Sequence, residues 1–170
     1  AAGLALALLA TWVLLGWQPI VSPAVDDVQP VDAVFVIGPA ETRMSEATQL
    51  ADDADASLLL STISVDPRTG QAYPRDYCEA EGEGYHVECV IPQPYTTRGE
   101  ARLLGDQVQQ HGWSRVAVVT STPHAARTRL LVERCTDADV LVWTVDEERS
   151  TVGWVRQFVY QSAAWVKTQV

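Results

Sequence analysis

Apolar and polar positions alternate along this chain with three distinct periods. Residues 1–17 carry no charge and are almost wholly Ala, Leu, Val and Trp. After a Pro- and Asp-rich stretch, Ala33-Val34-Phe35-Val36-Ile37 forms a continuous, β-branched run ending at Gly38-Pro39, the mark of a strand buried on both faces. Met44, Ala47, Leu50 and Ala51 then recur at helical spacing within residues 41–53, and residues 57–61 form a second apolar run. Residues 86–91 alternate modestly and predict a third strand. A helix over 97–111, a strand over 115–120, a helix over 123–135 and a strand over 139–145 follow. Strands alternating with helices predict an α/β domain: a three-layer, Rossmann-like parallel sheet with helices on both faces.

The tail over 151–170 places Val152, Val155, Phe158, Val159 and Trp165 at broadly helical spacing. Such a helix is expected to cover the sheet. Lying on a membrane surface is the alternative, with Arg156 and Lys167 as its only basic residues. The predicted organisation is a transmembrane anchor or signal-type segment over 1–21, a linker over 22–31 and an α/β domain over 32–170. At about 1.5 Å per residue the first segment is near the short end of what spans a bilayer. It is longer than the apolar core of most signal peptides, and no clear A-x-A site follows it, which favours an uncleaved anchor. With no basic residue beside it, the positive-inside rule assigns no orientation.

A chain of 170 residues, 47% hydrophobic, has enough material for one substantial core. Twelve Lys and Arg against 22 Asp and Glu give a net charge of −10, with no basic run, which argues against nucleic acid as a partner. Cys78 and Cys89 bracket a Gly- and Glu-rich loop where a disulfide would clip a long excursion without its own core. Zinc binding by Cys78, His86 and Cys89 is the alternative, but the spacing matches no common zinc pattern, and no metal is predicted. Cys135 reads as a packing residue in a helical stretch. An anchor followed by a disulfide predicts a single-pass protein of the cell membrane with its domain outside the cytoplasm.

The segment from Val118 to Arg127 holds the most informative chemistry. An apolar strand runs through Thr120 and Ser121 into Thr122-Pro123, where Thr122 is the expected N-cap and Pro123 the first helical residue. His124 and Arg127, three apart, then share a helical face beside free backbone N–H groups. Ordinary helix punctuation with a packed histidine is the competing reading. Ligands of open parallel sheets bind at the carboxyl ends of the strands, so the other loops belong to the same reading. The first supplies Gly38 and Arg43, although Arg43 also has Glu41 and Glu46 as surface partners. The third supplies Thr97 and Glu100 at capping-box spacing, which makes a structural cap a strong rival to a catalytic role for Glu100.

Two arginines, a histidine and two helix starts around one sheet edge make a local cationic pocket on an acidic protein. A phosphate, pyrophosphate or carboxylate is the simplest ligand. His124, with an ordinary pKa near 6.5, would suit proton transfer. Ser121 would be a nucleophile with His124 as base, but no acidic orienting partner is evident. Neither G-x-G-x-x-G, nor G-x-x-x-x-G-K-[ST], nor G-x-S-x-G occurs.

These motifs resemble those of the YdcF/SanA/ElyC-like proteins, a widespread bacterial domain of unknown function. The resemblance rests on the opening strand ending in Gly38 with Arg43 beginning the next helix, on Thr97-Arg98-Gly99-Glu100-Ala101, and on Val119-Thr120-Ser121-x-x-His124-x-x-Arg127. It covers roughly residues 32–145. The chain departs from the family pattern at Gly38-Pro39-Ala40, where a Gly-rich turn is usual, and at Ser61-Thr62, where Ser-Gly is usual. The resemblance implies an N-terminal membrane segment and a role in envelope biogenesis, with peptidoglycan or lipid-carrier precursors as substrates. A lipid-linked phosphate or other anionic small molecule is the expected ligand: Gly38, Arg43, Thr97, Thr120 and Arg127 would bind it, and His124, Ser121 and Glu100 would carry any chemistry. The alternatives are a non-catalytic ligand- or protein-binding module and an S-adenosylmethionine-binding protein.

Overall fold

A computed structural model describes residues 2–66, 68–73, 75–78, 85–145 and 147–169. An apolar helix, α1 (Ala2–Ile20), leads into β1 (Ala33–Val36), α2 (Met44–Asp53), β2 (Leu58–Thr62) and β3 (His86–Val90). The chain continues as α3 (Thr97–His111), β4 (Arg115–Ser121), α4 (Ala125–Glu133), β5 (Asp139–Val145) and α5 (Thr151–Thr168). Short 3-10 turns at Ala40–Thr42 and Thr122–His124 precede α2 and α4. The five strands form one parallel sheet in the order β3-β2-β1-β4-β5.

The apolar runs of β1 and β4 fill both faces of this sheet, as their unbroken β-branched sequences require. One face packs Val34, Val36, Leu59 and Val119 against Met44, Ala47 and Ala51 of α2. The other packs Phe35, Ile37, Leu60 and Val118 against Leu104 and Val108 of α3 and Leu131 and Val132 of α4. Chain order reverses at β1: the connection after β1 leads outward to β2 and β3, and β4 returns to its other side. The carboxyl ends of β1 and β4 therefore open a crevice between diverging loops, the usual ligand position in such sheets.

Local chemistry explains the helix limits. Thr96 caps α3, its hydroxyl accepting the Gly99 N–H at 3.2 Å, and Gly112 ends it in the left-handed region at φ 70°, where a residue without Cβ sits free of strain. Ser150 caps α5 in the same way through the Gly153 N–H. At the opposite end of the sheet Asp32 accepts the Ser114 and Arg115 N–H groups at 2.7 and 3.0 Å. Those bonds, led by that from Arg115, hold its carboxyl below the usual range.

Three expectations are corrected here. Residues 22–31 are tied to the sheet: the Asp26 N–H donates to the Val142 carbonyl at 3.1 Å, and the Asp26 carboxylate accepts the Val142 N–H at 2.7 Å, which satisfies one residue on the free edge of β5. Helix α5 does not cover the sheet. It packs on α1, on α4 and on the turn at Thr122–His124, because both faces of the sheet are already occupied. Cys135 lies just beyond the end of α4, where it packs partly buried against the α3/α4 face of the core. Cys78 and Cys89 are joined in a disulfide with a Cα–Cα distance of 5.5 Å, within the usual span for that bond. The Gly- and Glu-rich stretch 79–84 between them lies outside the described residues.

Candidate functional site

At the β4 end, Thr120 is fully buried and its hydroxyl lies 3.2 Å from His124 Nδ1. His124 Nε2 contacts an Arg127 Nη2 donor and lies 3.3 Å from the Thr97 hydroxyl. A guanidinium can only donate, so Nε2 is the acceptor and the imidazole is neutral, with its proton on Nδ1 facing Thr120. Burial, then the charges of Arg127 and Arg43, push the His124 pKa down to about 3. This corrects the expectation of a histidine titrating near 6.5: His124 here is an acceptor that orients Arg127. Arg127 itself is only 7% exposed, and its Nε donates to the Gln161 side chain of α5 at 3.1 Å. Desolvation lowers its pKa from an ordinary value high enough to leave it a cation at neutral pH.

Glu100 is 5% exposed on the first turn of α3 and does not close a capping box with Thr97. The cap belongs to Thr96, one residue earlier, so Glu100 turns toward the first loop and accepts the Gly38 N–H at 2.8 Å. A side chain at Gly38 would press on the Thr62 hydroxyl, Tyr95 and Glu100, so these groups converge on one backbone position. Desolvation is the dominant influence on Glu100. It outweighs the Gly38 N–H, Thr62 and the charges of Arg127 and Arg43, and raises the carboxyl to about 7. The Thr62 hydroxyl donates to the Val36 carbonyl at 3.1 Å, which ties the end of β2 to that of β1 beside Glu100. A carboxyl poised near neutrality can exchange a proton in either direction.

Arg43 reaches these groups through its charge alone, because its hydrogen bonds go to the loops. Its Nη1 donates to the Ile37 and Pro39 carbonyls, both at 2.9 Å, and its Nη2 pairs with Glu147 at 2.8 Å. The guanidinium thus ties the loop after β1 to the loop after β5. Ser121 begins the 3-10 turn without a side-chain cap bond, and no hydrogen bond joins it to His124 among the described residues. Thr122 lies inside that turn and is not its N-cap, because Pro123 is accommodated in a 3-10 turn before α4 begins at Ala125.

A cavity of about 450 Å³ opens beside Arg127, between the start of α3, α4 and the last turns of α5. Its polar lining includes Tyr95, Thr97, Arg98, Arg127, Tyr160 and Lys167, and no carboxylate is among its lining residues. Sequence patterns missed Arg98, Lys167, Tyr160 and Gln161. Arg98 stood inside a quoted motif without a role, and the three α5 residues carry no local signal, since only the docking of that helix brings them to Arg127. No cluster of three or more His, Cys, Asp or Glu suited to a metal occurs among the described residues. Comparison with family models, with characterised proteins and with solved structures returns no match.

Proposed function

We propose that this chain is a membrane-anchored envelope protein of the YdcF/SanA/ElyC-like kind whose α/β domain binds, and transforms, the phosphate or pyrophosphate group of an envelope precursor. The observation that carries the reading is the cavity lined by Arg98, Arg127 and Lys167 without a carboxylate, on a chain of net charge −10. An anion gains charge-assisted hydrogen bonds there, and the N-terminus of α3 adds backbone dipoles of favourable sign. In this scheme Arg127, oriented by His124 and Gln161, fixes the anion together with Arg98 and Lys167. Thr97 positions it, and Glu100, which accepts the Gly38 N–H and does not line this cavity, would exchange a proton only with a precursor that extends to the loop after β1. The apolar helix α1, long enough to cross a membrane by length and composition, is the anchor, and the disulfide favours a domain outside the cytoplasm.

The test is unfolding of the full chain in detergent micelles with pyrophosphate, an isoprenyl phosphate or S-adenosylmethionine. A bound ligand at about 100 times its Kd adds about 2.7 kcal/mol to stability. The expected result is stabilisation by a phosphate compound that disappears in Arg98→Ala/Lys167→Ala, whose exposed side chains do not support the core. No response to either phosphate, or an undiminished response in the double variant, refutes the site. Binding with no product released over prolonged incubation would make the domain a non-catalytic module.

A further inference from the structure

Helix α5 carries an apolar face that no part of the described chain covers. Val152, Val155, Val159 and Val166 follow one another at steps of three, four and seven residues, which places them on one side of the helix, and each is more than half exposed. Beside this stripe, α5 and α1 form a groove of about 580 Å³ lined only by apolar side chains, among them Trp12, Val13, Trp17, Trp154 and Phe158. The two helices are in direct contact. The Trp12 and Phe158 rings meet edge to face at 4.9 Å, the Trp12 indole N–H donates to Ser162 at 3.1 Å, and a Cβ at Gly16 would collide with the Phe158 ring.

We propose that α5 is an interfacial helix, with its valine stripe and the groove it shares with α1 filled by the acyl chains of the bilayer that takes up α1. This rests on the anchor part of the proposed function and is independent of its phosphate chemistry. Continuity with α1 identifies the occupant. The 19 residues of α1 extend about 28 Å, close to the roughly 30 Å of a hydrocarbon core. Helix α5 meets α1 at Trp12 and Gly16, about 12 and 6 Å back from Ile20, so a bilayer that receives α1 also reaches α5.

Composition agrees with a lipid interface. Four of the six tryptophans, Trp12, Trp17, Trp154 and Trp165, belong to these two helices, and indole rings favour the boundary between hydrocarbon and headgroups. Helix α5 contains Arg156 and Lys167 but no Asp or Glu, although the chain as a whole is strongly acidic. Two basic residues are too few for a strong electrostatic anchor, so the apolar stripe carries the attachment and the lack of carboxylates only removes repulsion from anionic headgroups. Tyr160 and Lys167, on the other flank of α5, line the cationic cavity, which would then open at the level of lipid phosphates.

Site-directed spin labelling of the full chain in phosphatidylcholine vesicles with a minor share of phosphatidylglycerol tests this. Labels are introduced one at a time by Val152→Cys, Val155→Cys, Val159→Cys and Val166→Cys, with Arg156→Cys and Tyr160→Cys on the other flank and Leu8→Cys on α1. Cys135→Ser serves as background. Collisions with oxygen report lipid, and collisions with a water-soluble nickel complex report solvent. The expected result is a severalfold higher oxygen-to-nickel ratio along the valine stripe than on the flank, with Leu8 the most lipid-exposed. Stripe labels as open to nickel as the flank overturn the inference while leaving the anchor in place. Stripe labels shielded from both reagents overturn it in favour of a protein partner such as a second copy. A Leu8 label open to nickel overturns this inference and the anchor together.

Discussion

Replacing Glu100 with glutamine should unmask a rise of stability with pH in a predictable window. Burial raises its carboxyl from an ordinary 4.5 to about 7, so between those values the folded protein holds a proton that the unfolded chain releases. The stability contributed by the protonated form is complete below pH 4.5 and lost as pH rises to 7. At about 1.36 kcal/mol per unit the loss is about 3 kcal/mol. His124 acts in the opposite sense. Its pKa falls from 6.5 to about 3, so its contribution is complete above pH 6.5 and is lost as pH falls toward 3. The two slopes oppose each other between pH 4.5 and 6.5, and the wild-type profile should be nearly flat there for these groups. Glu100→Gln keeps an oxygen for the Gly38 N–H but cannot ionise. Its stability relative to wild type should therefore climb by about 3 kcal/mol between pH 4.5 and 7 and then level off. Urea unfolding of both proteins in the same detergent, at half-unit steps of pH, gives this difference with the other titrating groups cancelled. Parallel curves across the window would refute a near-neutral Glu100. A difference that falls with pH below 4.5 and is flat above it would show instead that Arg127 and the Gly38 N–H hold the carboxylate ionised.

Arg43→Met removes the donor shared by the Ile37 and Pro39 carbonyls and leaves Arg149 as the remaining partner of Glu147, so it should cost about 2 kcal/mol while leaving the response to phosphate intact. Unchanged stability with a lost phosphate response would make Arg43 an anion clamp instead of a loop tie. Gly99→Ala would drive a Cβ into the Pro94 carbonyl, forcing the first turn of α3 away from its loop. A loss of about 2 kcal/mol and a weaker phosphate response are expected, and an unaltered urea midpoint would contradict the close approach.

Much of the architecture is legible in the residues themselves. The run Ala33-Val34-Phe35-Val36 has no polar face to offer solvent, so it can only be an interior strand, and the helical periods between such runs compel a parallel sheet with helices on both sides. The disulfide partners were visible as well, because Cys78 and Cys89 flank a segment without apolar anchors. Thr97, His124 and Arg127 could be grouped by their places after strands, and the fold does bring them within hydrogen-bonding reach.

Decisions that depended on distance and dielectric were not legible. A one-residue shift of the cap from Thr97 to Thr96 turned Glu100 from a helix cap into the partner of Gly38, and no local pattern separates those two threonines. His124 kept its place, but burial beside two arginines changed it from a proton carrier into an acceptor, since desolvation is a property of surroundings and not of residue type. Arg43 found carbonyls and Glu147 only when the loops closed. Sequence alone determined which segments are strands and helices, because apolar periodicity is local. Only tertiary structure decided that α5, with both sheet faces already filled, would lie on α1 and α4 and carry Gln161 and Lys167 to Arg127, because that choice depends on which surfaces remain uncovered.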